Sequence, residues 1–198
     1  MSKRKLYALA SRETASVAVL SVALGIVETA VFSSTYPAIP PIIVMPFLTC
    51  LYFGAITVLS RRLWMIGLVG FVLTIVMRGY ILPGQLTIPV YGLLFQATGG
   101  RRVYSGIAGF VGSILHLTYG VMIAPRFFSI APARTVLLWM ISYVGEVRLA
   151  IVALTVIFGF IGILAADIGY RAGLVIRNKT GARFVQVDVR RVKEEMAR

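Results

Sequence analysis

Long apolar runs separated by short basic clusters set the pattern of this chain. The clearest run lies within residues 145–172. Glu146 and Arg148 open it, no charge interrupts Leu149 to Ala166, Asp167 ends it, and Arg171 begins a basic tail. At about 1.5 Å per helical residue, such a run crosses most of a bilayer's hydrocarbon core of about 30 Å. Earlier runs cover residues 15–33, broken by Glu28; 42–60, with Pro46 near the start; 63–77, ending at Arg78; about 80–97, made irregular by Pro83, Gly84 and Pro89; and 103–123, with Gly106, Gly109 and Gly112 at every third position. Small residues so spaced let a neighbouring helix approach closely. Residues 134–144 are also apolar, but joined to the final run they are too long for one upright helix.

The pattern predicts an all-α membrane protein of six transmembrane helices with both termini cytoplasmic. An extra outer or re-entrant helix over 134–144 precedes a last span at about 147–170. The chain divides into a basic cytoplasmic N-terminus (1–14), a transmembrane domain (15–170) and a basic cytoplasmic tail (171–198). The tail mixes strand-like and helix-like spacing and leaves its structure open. Residues 34–41, with three prolines, and 124–133 form the far-side loops.

Composition supports the membrane reading: 59% of residues are hydrophobic, only 14% are charged, and mean hydropathy is +0.89. A water-facing surface needs more charge than that. The net charge of +13 would suggest nucleic acid in a soluble protein, but here the cations sit between apolar runs. Sixteen of the 20 Lys and Arg residues fall on the near side of a six-span topology, and Arg78, Arg126, Arg134 and Arg148 remain on the far side. That is the bias of cytoplasmic loops. A seventh span over 127–145 would put the basic tail outside. The single cysteine, Cys50, excludes an intrachain disulfide framework, and the basic N-terminus does not read as a cleaved signal.

Ionisable groups at membrane depth are costly and face a cavity or a partner. The six-span arrangement puts Glu28, Arg78, His116, Glu146 and Arg148 in the outer half, with Trp139 and Tyr143 one turn apart near the same interface. Together these seven suggest an outward pocket, lidded by residues 34–41 and 124–133, for a small polar heterocycle or zwitterion. Each also has a plainer reading. Glu28 can pair with Arg78 or Arg148, His116 can bond a neighbouring helix, and Glu146 and Arg148 can reach to water. Trp139 and Tyr143 can belong to an aromatic belt, and Asp167 can pair with Arg171 one turn on. One histidine makes no metal site, and no metal or other cofactor is expected. No G-x-x-x-x-G-K-[ST] or H-E-x-x-H motif occurs, and Ser113 with His116 lacks a third catalytic group, so the chain does not read as an enzyme.

About 200 residues, six spans, a proline-rich first outer loop and the ending FGFIGILAADIGYRAG (158–173) resemble the substrate-binding S-component of energy-coupling-factor (ECF) transporters. The resemblance implies capture of a vitamin or related micronutrient from outside. It also implies docking onto a transmembrane coupling subunit with two ATP-binding subunits, which supply the energy. Docking in that family uses small residues of the first span in an A-x-x-x-A pattern. The corresponding positions are Ala15, Ala18, Ser21 and Gly25, of which Ser21 and Gly25 keep the four-residue spacing and Ala15 and Ala18 are three apart. A self-sufficient secondary transporter or channel, and a non-catalytic membrane scaffold subunit, are the alternatives. The first requires polar residues continuing through the inner half, and the second requires the buried charges to pair among themselves.

Overall fold

A computed structural model of the chain describes residues 3–35, 41–78, 83–120 and 131–180, and among these it is all-helical. The helices are α1 (Lys3–Thr35), α2 (Pro41–Ile56), α3 (Leu63–Arg78), α4 (Ile88–Ala97), α5 (Arg102–Thr118), α6 (Ala131–Val144) and α7 (Val147–Thr180). A 3₁₀ turn, Pro83–Thr87, leads into α4. Pro89 sits in the first turn of α4, where the missing N–H costs no helical bond. The expected lids fall largely outside the described residues at 36–40 and 124–130, as does the tail from 181 onward.

Glycine sets two of the connections. Gly99 and Gly100 take φ of 59° and 75° between α4 and α5, and Gly145 takes φ of 78° between α6 and α7. These left-handed conformations are costly for residues carrying a Cβ. The break at Gly145 separates the 134–144 segment from the last run, as its length predicts. The last helix then continues past the expected end near Tyr170 to Thr180.

Close approaches fix the direction of each helix. Leu24 of α1 lies on Gly70 of α3, and Gly25 meets Leu73, Thr74 and Met77, so α1 and α3 run parallel. Tyr52 and Thr49 of α2 reach Leu20 and Glu28 of α1, so α2 runs antiparallel to it. Gly67 and Gly92 lock α3 and α4 antiparallel, with Gly67 on Ile88 and Pro89, and Gly92 on Leu63 and Trp64. Gly109 and Gly162 bring the backbones of α5 and α7 together, while Gly169 and Gly173 of α7 lie on Leu51 and Ala55 of α2. The outcome is a bundle in which α1, α3 and α5 run one way and α2, α4 and α7 the other. Phe53, Phe95, Leu24, Leu63 and Ile66 fill its core, and the Phe53 and Phe95 rings stack at 5.9 Å. A second cluster of Leu117, Val136, Leu154 and Phe158 seats α6 on α5 and α7.

The outside of the bundle is apolar. Val103 is 75% exposed, Val76 72% and Phe160 60%, and many Leu, Ile and Val side chains accompany them. So many exposed large apolar side chains mark a surface that meets something other than water. Among the described residues one helix, over Val147–Lys179, is long and apolar enough to cross a membrane. Shorter apolar helices lie at Thr14–Ala30, Val44–Ile56 and Leu63–Arg78.

Candidate functional site

The parallel packing of α1 on α3 carries Glu28 to the C-terminal end of α3, opposite Arg78. The Arg78 guanidinium donates through Nη2 to the backbone carbonyl of Glu28. From α2, Thr49 Oγ1 lies 2.8 Å from Glu28 Oε1 and 2.7 Å from the Met45 carbonyl, so one hydroxyl hydrogen serves two acceptors. Glu28 is fully buried, and among the described residues its second carboxylate oxygen, Oε2, has no hydrogen-bond donor. Burying a carboxylate oxygen without a donor is expensive, so this atom marks a place where the interior is incomplete.

His116 reaches the same end of the bundle from α5. Gly112, one turn earlier, admits the Tyr91 ring of α4 against the α5 backbone. His116 is buried with Nδ1 2.8 Å from Thr87 Oγ1 of the 3₁₀ turn, and its ring centroid is 6.5 Å from that of Tyr91. The Tyr91 hydroxyl approaches the Cys50 thiol and the Ser113 hydroxyl, which are themselves 3.4 Å apart. Glu28, Thr49, Thr87, Tyr91, Ser113 and His116 thus form a buried polar belt drawn from α1, α2, the 3₁₀ turn, α4 and α5.

The other four expected pocket residues are elsewhere. α6 turns Val136 toward α5 and α7, with Leu137 and Met140 packed against that contact. Trp139 and Tyr143 lie on another face of α6, 57% and 73% exposed, with their rings edge to face at 4.9 Å. Glu146 and Arg148 are exposed where α6 gives way to α7. The seven residues therefore divide into an interior group, Glu28, Arg78 and His116, and a surface group, Trp139, Tyr143, Glu146 and Arg148. Of the plainer readings, His116 bonds a neighbouring element, while Arg78 meets Glu28 at its backbone carbonyl and the carboxylate is bonded by Thr49.

The expected docking stripe also divides. Ala15 and Ala18 are exposed, whereas Ser21 and Gly25 are buried against α3, with Ser21 Oγ 3.4 Å from the Ile66 carbonyl. Ala15 lines an apolar cleft of about 290 Å³ with Ser16, Val19, Leu20 and Leu59. At the same end of the bundle Asp167 pairs with Arg171 at 2.9 Å, as the four-residue spacing predicts. It also accepts two hydrogen bonds from Arg102, at 2.6 and 3.1 Å.

Sequence reasoning did not single out Thr49, Thr87 or Tyr91, nor Arg102 as a partner of Asp167. Uncharged polar residues in apolar runs carry no local signal. Their partners are tens of positions away. Among the described residues no three His, Cys, Asp or Glu side chains gather closely enough to hold a metal ion.

The fold and the belt together define an all-helical bundle with an apolar exterior, a helix able to span a bilayer, and a polar interior at one end. Comparisons with protein families, curated proteins and solved structures gave no match.

Proposed function

We propose that this chain is a multi-pass membrane protein with six spans, both termini cytoplasmic, and that it is the substrate-capturing subunit of an ECF-type importer. It takes a vitamin or related small micronutrient at the end of the bundle away from the basic loops, and it draws its energy from a coupling subunit and two ATP-binding subunits. The observation that carries the reading is the buried belt around Glu28 and His116. Several elements converge on it inside a bundle whose exterior is apolar, and among the described residues one buried carboxylate oxygen is left without a donor. Ionisable groups at membrane depth, such as Glu28 and His116, are costly and commonly line substrate or ion paths. The alternation of helix directions supports the topology, since it gathers the basic loops at the opposite end.

A second reading, a non-catalytic membrane scaffold, draws support from the pairwise contacts of Glu28 with Thr49 and of His116 with Thr87. The two readings part in a thermal-shift screen of the purified full chain against water-soluble vitamins. A ligand that binds only the folded state at a hundred times its Kd adds about 2.7 kcal/mol. The importer reading expects at least one compound to raise Tm, the rise to vanish in Glu28→Gln or His116→Ala, and ATP-binding subunits to co-purify from the native membrane. A flat screen together with no ATP-binding partner leaves the scaffold.

A further inference from the structure

The loops opposite the belt build a second site. Thr57 and Thr98 approach at 3.4 Å, and the Tyr170 hydroxyl donates to the Gly100 carbonyl at 3.1 Å, so the loop after α2, the loop before α5 and the end of α7 meet. Between them lies a cleft of about 280 Å³ whose lining includes Thr57, Ser60, Arg61, Gln96, Gly99 and Gly100.

The cleft offers donors whose oxygens already accept a backbone N–H. Ser60 is buried, and its oxygen accepts from the Arg62 N–H at 3.2 Å, which leaves the hydroxyl hydrogen to give. Gln96 Oε1 accepts from the Trp64 N–H at 3.2 Å, which leaves the amide hydrogens to give. Arg61 adds an exposed guanidinium, and Arg101, over the Tyr104 ring at 5.7 Å, stands next to the glycine pair. Asp167, the acid at this end whose side chain is described, is held by Arg102 and Arg171. Neutral donors beside an exposed cation select an anion with several acceptor oxygens.

The surroundings say which anion. α3 and α4 lead away from the cleft with exposed apolar side chains, Trp64 and Leu68 on one and Val90 and Leu93 on the other. A soluble phosphate has no use for that track, whereas an acyl chain does. We propose that this cleft binds the headgroup of an anionic phospholipid of the inner leaflet, with phosphate oxygens on Arg61, Ser60 and Gln96 and a chain along α3 and α4. The site rests on the membrane part of the reading above and is independent of the micronutrient.

The test reconstitutes the full chain into nanodiscs of phosphatidylcholine, with and without phosphatidylglycerol, and follows Tm together with the lipids retained in native mass spectrometry. Phosphatidylglycerol is expected to raise Tm and to be retained preferentially. Arg61→Gln with Arg101→Gln should lower that preference about thirtyfold, since each surface cation is worth roughly one kcal/mol toward an anionic lipid. Arg61→Lys with Arg101→Lys should keep most of it. Rising salt should erode it in the unmodified chain, which tests the site even where the Gln variant fails to fold. Equal behaviour in both lipids, a preference that survives the Gln variant or high salt, or an equal Tm rise from inorganic phosphate in phosphatidylcholine discs would each overturn the proposal. Failure to enter phosphatidylcholine discs at all would overturn the membrane reading itself, a distinct result.

Discussion

At the scale of single residues, Glu28 shows how an interior polar group can be legible while its setting is not. A carboxylate inside an apolar run announces that it needs a partner, and the structure supplies Thr49, while Arg78 binds the backbone carbonyl of the same residue. Thr49 could not be singled out beforehand, because a threonine in an apolar run more often bonds its own helix, which it also does here. The sharing of its hydroxyl gives a prediction. Thr49→Val should destabilise the protein in detergent by about 1–3 kcal/mol, because it strips the bonded carboxylate oxygen of its donor. Glu28→Gln keeps an acceptor facing Thr49 and should cost clearly less. Denaturant or thermal unfolding of the two variants side by side decides it, and a neutral Thr49→Val would mean that this contact does not hold Glu28 in place. The converse lesson comes from Trp139 and Tyr143. Their spacing placed them on one face of α6, but did not show that both rings would face outward and meet edge to face. That depended on which face of α6 the Val136 contact would claim.

At the scale of elements, the boundaries most readable in the sequence were those set by residues that act locally. Arg61, Arg62 and Arg78 bracket α3 almost where the expected run of 63–77 lies, and Gly145 divides α6 from α7. Pro83, Gly84 and Pro89 foretold an irregular fourth element, which resolves into a 3₁₀ turn and a ten-residue helix. The extension of α7 to Thr180 was not readable, because polarity ends a membrane span without ending a helix. The stripe of Gly106, Gly109 and Gly112 was visible as a packing surface, but its members serve unequal ends. A Cβ on Gly109 would fall on the Gly162 carbonyl and one on Gly112 on the Tyr91 ring, whereas one on Gly106 would make an ordinary contact with Ile163 at 3.7 Å. Gly109→Ala should therefore cost about 1–3 kcal/mol by forcing α5 off α7, in the range of overpacked cores. Gly106→Ala should be neutral or slightly stabilising, since alanine is the better helix former. Unfolding midpoints of the two variants measure the contrast, and equal losses would show that α5 and α7 do not meet at Gly109.

At the scale of the whole molecule, separate observations converge on one polarity. The helix directions bring Arg61, Arg62, Arg101, Arg102 and Arg171 to one end, and Glu28, Arg78 and His116 to the other. The first end carries the clustered cations, which the proposed topology places on the cytoplasmic side, and the second holds the interior polar groups. A soluble bundle would have no reason to sort its charges by end while leaving its flanks apolar. The sole cysteine makes the consequence testable. Cys50 is buried with Sγ 3.6 Å from the Gly109 carbonyl, and alanine there removes one atom from a packed site, so Cys50→Ala should serve as a cysteine-free background. In that background, single cysteines in place of Arg61 and of Tyr143, both exposed but at opposite ends, report the two faces. In intact cells a membrane-impermeant maleimide should label position 143 and leave position 61 untouched until the membrane is opened. Labelling of 61 alone would invert the orientation and with it the assignment of the polar belt to the outer half. Labelling of both from one side would mean that α6 and the loop after α2 share a face, and the six-span topology would fall. The expected pattern puts the belt on the face that meets the environment and the donor-lined cleft on the face that meets the inner leaflet.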